Sequence, residues 1–135
     1  MTPKKLLLVD DDKLFHALLT PALEHQGIEV LHAANGASAL AIVRESKPDL
    51  VVMDGLLPDT DGLSWIERLG TDLAGSRVVF VSSFWKDRKS HERLRELGVD
   101  LIVQKPVMPR DFTAKVARLL DMPLLDAACQ EPQQA

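Results

Sequence analysis

The chain alternates between short unbroken apolar runs and longer stretches with helical spacing. Leu6-Leu7-Leu8-Val9 is continuous and apolar, the mark of a strand buried on both faces. From Lys13 to about Gln26 the spacing becomes helical. Leu14, Leu18 and Ala22 form one i, i+4 line, and Phe15, Leu19 and Leu23 form another. Asp12 is placed to cap this helix and Gly27 to end it. Pro21 inside it removes a backbone donor and predicts a kink or irregular turn.

The same rhythm then repeats. Ile28 to His32 reads as a second strand and Ala37 to Lys47 as an amphipathic helix, with Ala39, Leu40, Ile42 and Val43 inward and Pro48 as its stop. Asp49 to Asp54 is a third strand, and Leu63 to about Leu69 a short helix capped by Asp61. Arg77 to Val81 is a fourth strand. Lys86 to Leu97 is a highly charged helix closed by Gly98. Leu101-Ile102-Val103 is a fifth strand, and a last helix starts near Pro109 and runs to about Leu120. Five βα repeats predict an α/β fold, a parallel sheet with helices on both faces.

The 135 residues fit one domain over 1–122, with a polar tail or linker over 123–135. That tail favours a chain cut from a longer protein. With 46% hydrophobic residues the chain has enough for a real core. A net charge of −4 argues against nucleic-acid binding through bulk charge. The single cysteine, Cys129, forms no internal disulfide, which is compatible with the cytoplasm. The apolar stretch near the N-terminus is too short for a signal peptide, and nothing is long enough to span a bilayer. His16, His25, His32 and His91 are scattered without ligand spacing and carry no assignment.

Chemistry gathers at the strand ends. The first ends in Asp10-Asp11-Asp12, the third in Asp54, the fourth in Ser82-Ser83, and the fifth in Lys105. In a parallel sheet these ends share one edge, where ligands bind. Carboxylates crowded there repel unless a cation offsets them, and a hard divalent ion such as Mg²⁺ suits oxygen ligands. A metal site, a lysine and a hydroxyl around one carboxylate are the parts that stabilise phosphoryl transfer.

Taken in order, Leu8-Val9-Asp10-Asp11, Val52-Met53-Asp54 with Pro58 and Asp61-Gly62, Val81-Ser82 and Lys105-Pro106 resemble the receiver domain of two-component response regulators, over roughly Lys4 to Leu120. The resemblance implies a flavodoxin-like, doubly wound (βα)5 fold with strand order 2-1-3-4-5. It implies that Asp54 takes a phosphoryl group from a sensor histidine kinase or phosphotransfer protein. Asp10, Asp11, Asp54 and the backbone carbonyl of Leu56 then hold Mg²⁺, while Ser82 and Lys105 contact the phosphoryl group. The Lys105-Pro106 bond is expected to be cis. Such a domain is a phosphoacceptor rather than an enzyme in its own right. It signals to an unknown output partner or fused output domain, with a homodimer through the face of the fourth helix, fifth strand and last helix left open.

Three features depart from the family pattern. Ile102 stands where the family often carries Tyr or Phe, which puts the usual aromatic switch in doubt. Leu56 and Phe84 occupy the two positions that tune phosphoryl lifetime; neither side chain can hydrogen-bond a water, which predicts slow self-dephosphorylation. Phe84-Trp85 reads either as local packing or as a partner contact. Two rival functions remain: a pseudo-receiver that binds proteins without phosphorylation, and a metal-dependent phosphatase with an aspartyl nucleophile. The phosphatase pattern wants a second Asp where Leu56 stands.

Overall fold

The computed structural model describes residues 3–73, 75–82 and 88–124. Phe84, Trp85, Cys129 and residues 125–135 of the tail lie outside the described residues. Five strands, β1 (Lys5–Val9), β2 (Glu29–Ala33), β3 (Leu50–Asp54), β4 (Arg77–Ser82) and β5 (Leu101–Gln104), pair in parallel in the order β2-β1-β3-β4-β5. Five α-helices connect and follow them: α1 (Lys13–His25), α2 (Gly36–Ser46), α3 (Gly62–Leu69), α4 (Arg88–Glu96) and α5 (Pro109–Leu119). A short 3-10 turn, Gly70–Leu73, extends α3. The predicted fold and strand order are those observed.

The apolar runs of β1, β3 and β4 are buried on both faces because successive side chains point to opposite sides. Leu6, Leu8, Leu50, Val52, Val79 and Val81 meet Phe15, Leu19 and Leu23 of α1 and Phe112 and Val116 of α5. Leu7, Val9, Val51, Met53, Val78 and Phe80 meet Ala39 and Val43 of α2, Trp65, Ile66 and Leu69 of α3, and Leu94 of α4. With both central faces covered, the polar chemistry is left to the strand ends. Among the described residues no helix is long and apolar enough to cross a membrane.

The helix starts follow the capping residues. Asp12 accepts from Leu14 N, Asn35 from Ser38 N, and Asp61 from both Ser64 N and Ser64 Oγ. α5 has no side-chain cap and begins with Pro109, whose missing N–H needs no partner there. α1 runs through Pro21 as one helix, so the expected irregularity does not break it. Exposed Pro21 gives up one donor on the solvent side, and Thr20 Oγ1 donates to the His16 carbonyl in the turn before it. Of the two apolar lines on α1, Phe15-Leu19-Leu23 is the core face. Leu14 and Leu18 are 79% and 48% exposed.

Candidate functional site

The site lies at the C-terminal edge of the sheet. β1 delivers Asp10, which is fully buried, and the next residue, Asp11, is exposed. Asp10 N donates to Ala33 O of β2, and Asp10 Oδ1 accepts from Asp12 N at 2.9 Å, so the turn into α1 is held by its own acidic run. β3 delivers Asp54, opposite Val81 in the register. Gly55 N donates to Val81 O, and Gly62 N to Gly55 O, which fixes the loop after Asp54 against β4 and α3. β4 ends in buried Ser82. Lys105 follows β5; its N donates to Ser82 O, and its bond to Pro106 is cis.

One carboxylate oxygen from each of Asp10, Asp11 and Asp54 can be chosen so that all three lie within 4.8 Å of one another. Lys105 Nζ lies 2.8 Å from Asp10 Oδ2 and 3.6 Å from Asp54 Oδ1, and it sits 4.4 Å from the Phe15 ring centre. Three carboxylates against one ammonium leave an excess of negative charge. At this spacing two carboxylates repel by on the order of 3–4 kcal/mol for an effective dielectric near 20. That repulsion shows on Asp54, whose carboxyl is pushed up to about 6, first by burial and then by Asp10. Burial works against the Lys105 charge. The hydrogen bond to Asp10 and the charges of Asp54, Asp10 and Asp12 outweigh it and raise the ammonium above its ordinary value.

Three oxygen donors around a small space match a hard divalent cation better than a soft one. Asp10, Asp11 and Asp54 are the residues that could hold it. Leu56, in the loop beyond Asp54, bridges to Asp61 and has a mostly exposed side chain. Ile102 lies half-buried on β5, packed against the core on the α2-α3-α4 side.

Several contributors were not visible from spacing alone. Asp59 accepts from Gly36 N and Ala37 N, at 2.8 and 3.0 Å, and ties the loop after β3 to the start of α2. The Gly36 hydrogen bond is the main reason its carboxyl lies below the usual range. Trp65 Nε1 donates to Gly36 O at 2.9 Å beside that tie. Leu14, Leu18, Pro106 and Val107 line an open hollow of about 360 Å³ that reaches Lys105. Exposed Met108 follows directly in the chain. The second apolar line on α1 was the available signal for this patch. His16 and His32, unassigned from spacing, are in contact: their Nδ1 atoms are 2.8 Å apart.

Residues 6–117 match the family model of the response regulator receiver domain. The chain is 31% identical over 121 residues to the phosphate regulon transcriptional regulatory protein PhoB of Pseudomonas aeruginosa, covering 89% of this chain and 53% of PhoB. It is 34% identical over 111 residues to the polar-differentiation response regulator DivK of Brucella anthropi, covering 80% of this chain and 89% of DivK. A CheY-like receiver domain structure from Methanospirillum hungatei superposes with a TM-score of 0.83 at 29% identity, over 89% of this chain and 95% of that one. The chain thus spans about half the length of PhoB and most of DivK. With an acidic triad, a lysine and a hydroxyl at the strand ends of a 2-1-3-4-5 sheet, this chain belongs to the family of response regulator receiver domains.

Proposed function

We propose that Asp54 accepts a phosphoryl group from the histidine of a sensor kinase or phosphotransfer protein, in a reaction that requires Mg²⁺. The observation that supports this most is the convergence of the Asp10, Asp11 and Asp54 oxygens within 4.8 Å, with Lys105 Nζ 3.6 Å from Asp54. An Asp54 carboxylate oxygen attacks the phosphorus, the P–N bond breaks, and the leaving imidazole regains its proton from solvent. Mg²⁺ bound by the triad supplies charge neutralisation for the carboxylates and the incoming phosphoryl oxygens. Lys105 holds a fixed positive charge beside the acceptor, and Ser82 offers a hydroxyl to the transferred group. In this reading residues 1–122 form the receiver unit in the cytoplasm, and an output domain or partner reads its state. The α4-β5-α5 face, where Ile102 replaces an aromatic, carries the signal to that partner or to a second copy.

Exposed Leu14 and Leu18 line the hollow that reaches Lys105, with exposed Met108 next in the chain after Val107, and this patch fits the docking of an apolar surface on the donor protein. Wild-type protein is expected to gain phosphoryl from both acetyl phosphate and a phosphorylated histidine protein, only with Mg²⁺. Leu14→Asp should keep the small donor's rate and slow the protein donor's by about tenfold or more, a loss of roughly 1.4 kcal/mol or more. Equal loss with both donors would contradict the docking role. Transfer from neither donor to wild type would contradict the proposed function.

The side chain of Leu56 is 56% exposed at the edge of the loop beyond Asp54 and has no group to orient water. Slow phosphoryl loss follows in this reading. Leu56→Asn is expected to shorten the lifetime of the phosphorylated form, followed by its decay after the donor is removed. An unchanged decay rate would contradict it.

A further inference from the structure

His16 on α1 and His32 on β2 meet outside the acidic triad. Their Nδ1 atoms face each other at 2.8 Å, with ring centres 5.0 Å apart and planes tilted by 43°. Such an approach has room for a single proton between the two nitrogens. The other nitrogen of His16, Nε2, lies 2.6 Å from the backbone carbonyl oxygen of Asp10. A carbonyl only accepts, so His16 Nε2 carries a proton, and neutral His16 presents Nδ1 as a lone pair. That division is typical of metal-binding histidines: one nitrogen faces the ion while the other donates to a carbonyl that fixes the ring. His32 lies exposed on the edge strand β2.

We propose that His16 and His32 form a binding site for a divalent cation that prefers nitrogen ligands, with Zn²⁺ as its first representative, joining α1 to β2. Zn–N bonds of about 2.0–2.1 Å at tetrahedral angles place two ligating nitrogens roughly 3.3–3.4 Å apart. The rings therefore separate by about half an ångström, which a small rotation of exposed His32 supplies. The ion takes the place of the shared proton. In the neutral pair that proton moves through water to His32 Nε2, so the count of protons is unchanged. Water fills the remaining positions in an open hollow of about 410 Å³ that Asp11, Lys13, Ala33 and Ala34 also line. Mg²⁺ is a weak competitor here because it demands oxygen ligands.

Zinc chloride is titrated into the full chain at pH 7.5 with excess Mg²⁺, followed by calorimetry and by nitrogen NMR of the histidine rings. One Zn²⁺ per chain is expected, with the ring resonances of His16 and His32 shifting together. His32→Gln and His16→Gln should each weaken binding by about tenfold or more, while Asp54→Asn, which lies outside this hollow, leaves it in place. His32 is exposed, so its variant folds, and the second variant tests the same claim from the other element. Zn²⁺ binding that survives both histidine variants but is lost in Asp54→Asn places the ion in the carboxylate triad and overturns the proposal. Ring resonances that do not respond to Zn²⁺ reduce the pair to a hydrogen bond and overturn it as well.

Discussion

Gly62→Ala is expected to lower the stability of the fold by about 3 kcal/mol, the upper part of the range for forced overpacking. Gly62 is the first residue of α3 and is buried. A Cβ there would lie 2.6 Å from the backbone oxygen of Asp54, 2.9 Å from Phe80 Cε1 and 3.0 Å from Met53 Cγ. The first of these atoms is main chain at the end of β3, which pairs with β1 and β4 on either side and cannot shift freely. The second and third belong to the packed core beneath α3. Relief would require α3 to move away from β3 and break the hydrogen bond from Gly62 N to Gly55 O, which holds the loop after the acceptor. Gly36 is a milder case, because its Cβ would meet the methyl of Thr60 at 2.7 Å and the edge of the Trp65 ring at 2.9 Å, both side chains. Thermal unfolding of Gly62→Ala should show a midpoint lower by on the order of 10 °C. A midpoint within two or so degrees of wild type would mean that α3 is not seated as described.

Asp54→Asn is expected to be more stable than wild type at pH 7.5 without Mg²⁺, and less responsive to Mg²⁺. The Asp54 carboxyl sits at about 6 in the folded chain against an ordinary value of 3.8, chiefly because of burial and then Asp10. A raised carboxyl binds its proton more tightly in the folded state than in the unfolded one. Its relative contribution is therefore favourable below the ordinary value and is lost as pH rises through about 6. At pH 7.5 the full penalty of a charged Asp54 among its neighbours is present. Asparagine removes it, for a gain of about 1–2 kcal/mol after allowing for solvent screening at the open side of the site. Near pH 3 the wild-type carboxyl is neutral and the gain disappears. Mg²⁺ neutralises the same charge, so it should raise the wild-type midpoint and narrow the gap. A variant less stable than wild type at pH 7.5 without Mg²⁺ would contradict this, as would a gap that does not change with pH.

Much of this was legible in the chain because strands here are buried on both faces. Leu6 to Val9 and Leu50 to Met53 are unbroken apolar runs, and each run stops where the sheet edge meets water. The stopping residues, Asp10, Asp54, Ser82 and Lys105, fell into one place once the strands were taken as parallel. Capping residues Asp12 and Asp61 gave two of the helix starts for a local reason that needs no tertiary knowledge. What stayed hidden depended on contacts between distant segments. The two apolar lines on α1 are one residue apart, and only packing against the sheet and α5 shows that Phe15, Leu19 and Leu23 go inward. Asp59 looks like a turn residue until α2 is placed beside it. His16 and His32 carry no spacing that joins them, because one sits on a helix and the other on an edge strand.

Intact mass after incubation with acetyl phosphate tests the central claim most directly, with and without Mg²⁺ and alongside Asp54→Asn. The wild-type chain should gain the mass of one phosphoryl group only when Mg²⁺ is present, and the variant should gain none. A Mg²⁺-dependent gain that persists in Asp54→Asn would place the acceptor elsewhere and contradict the role given to Asp54.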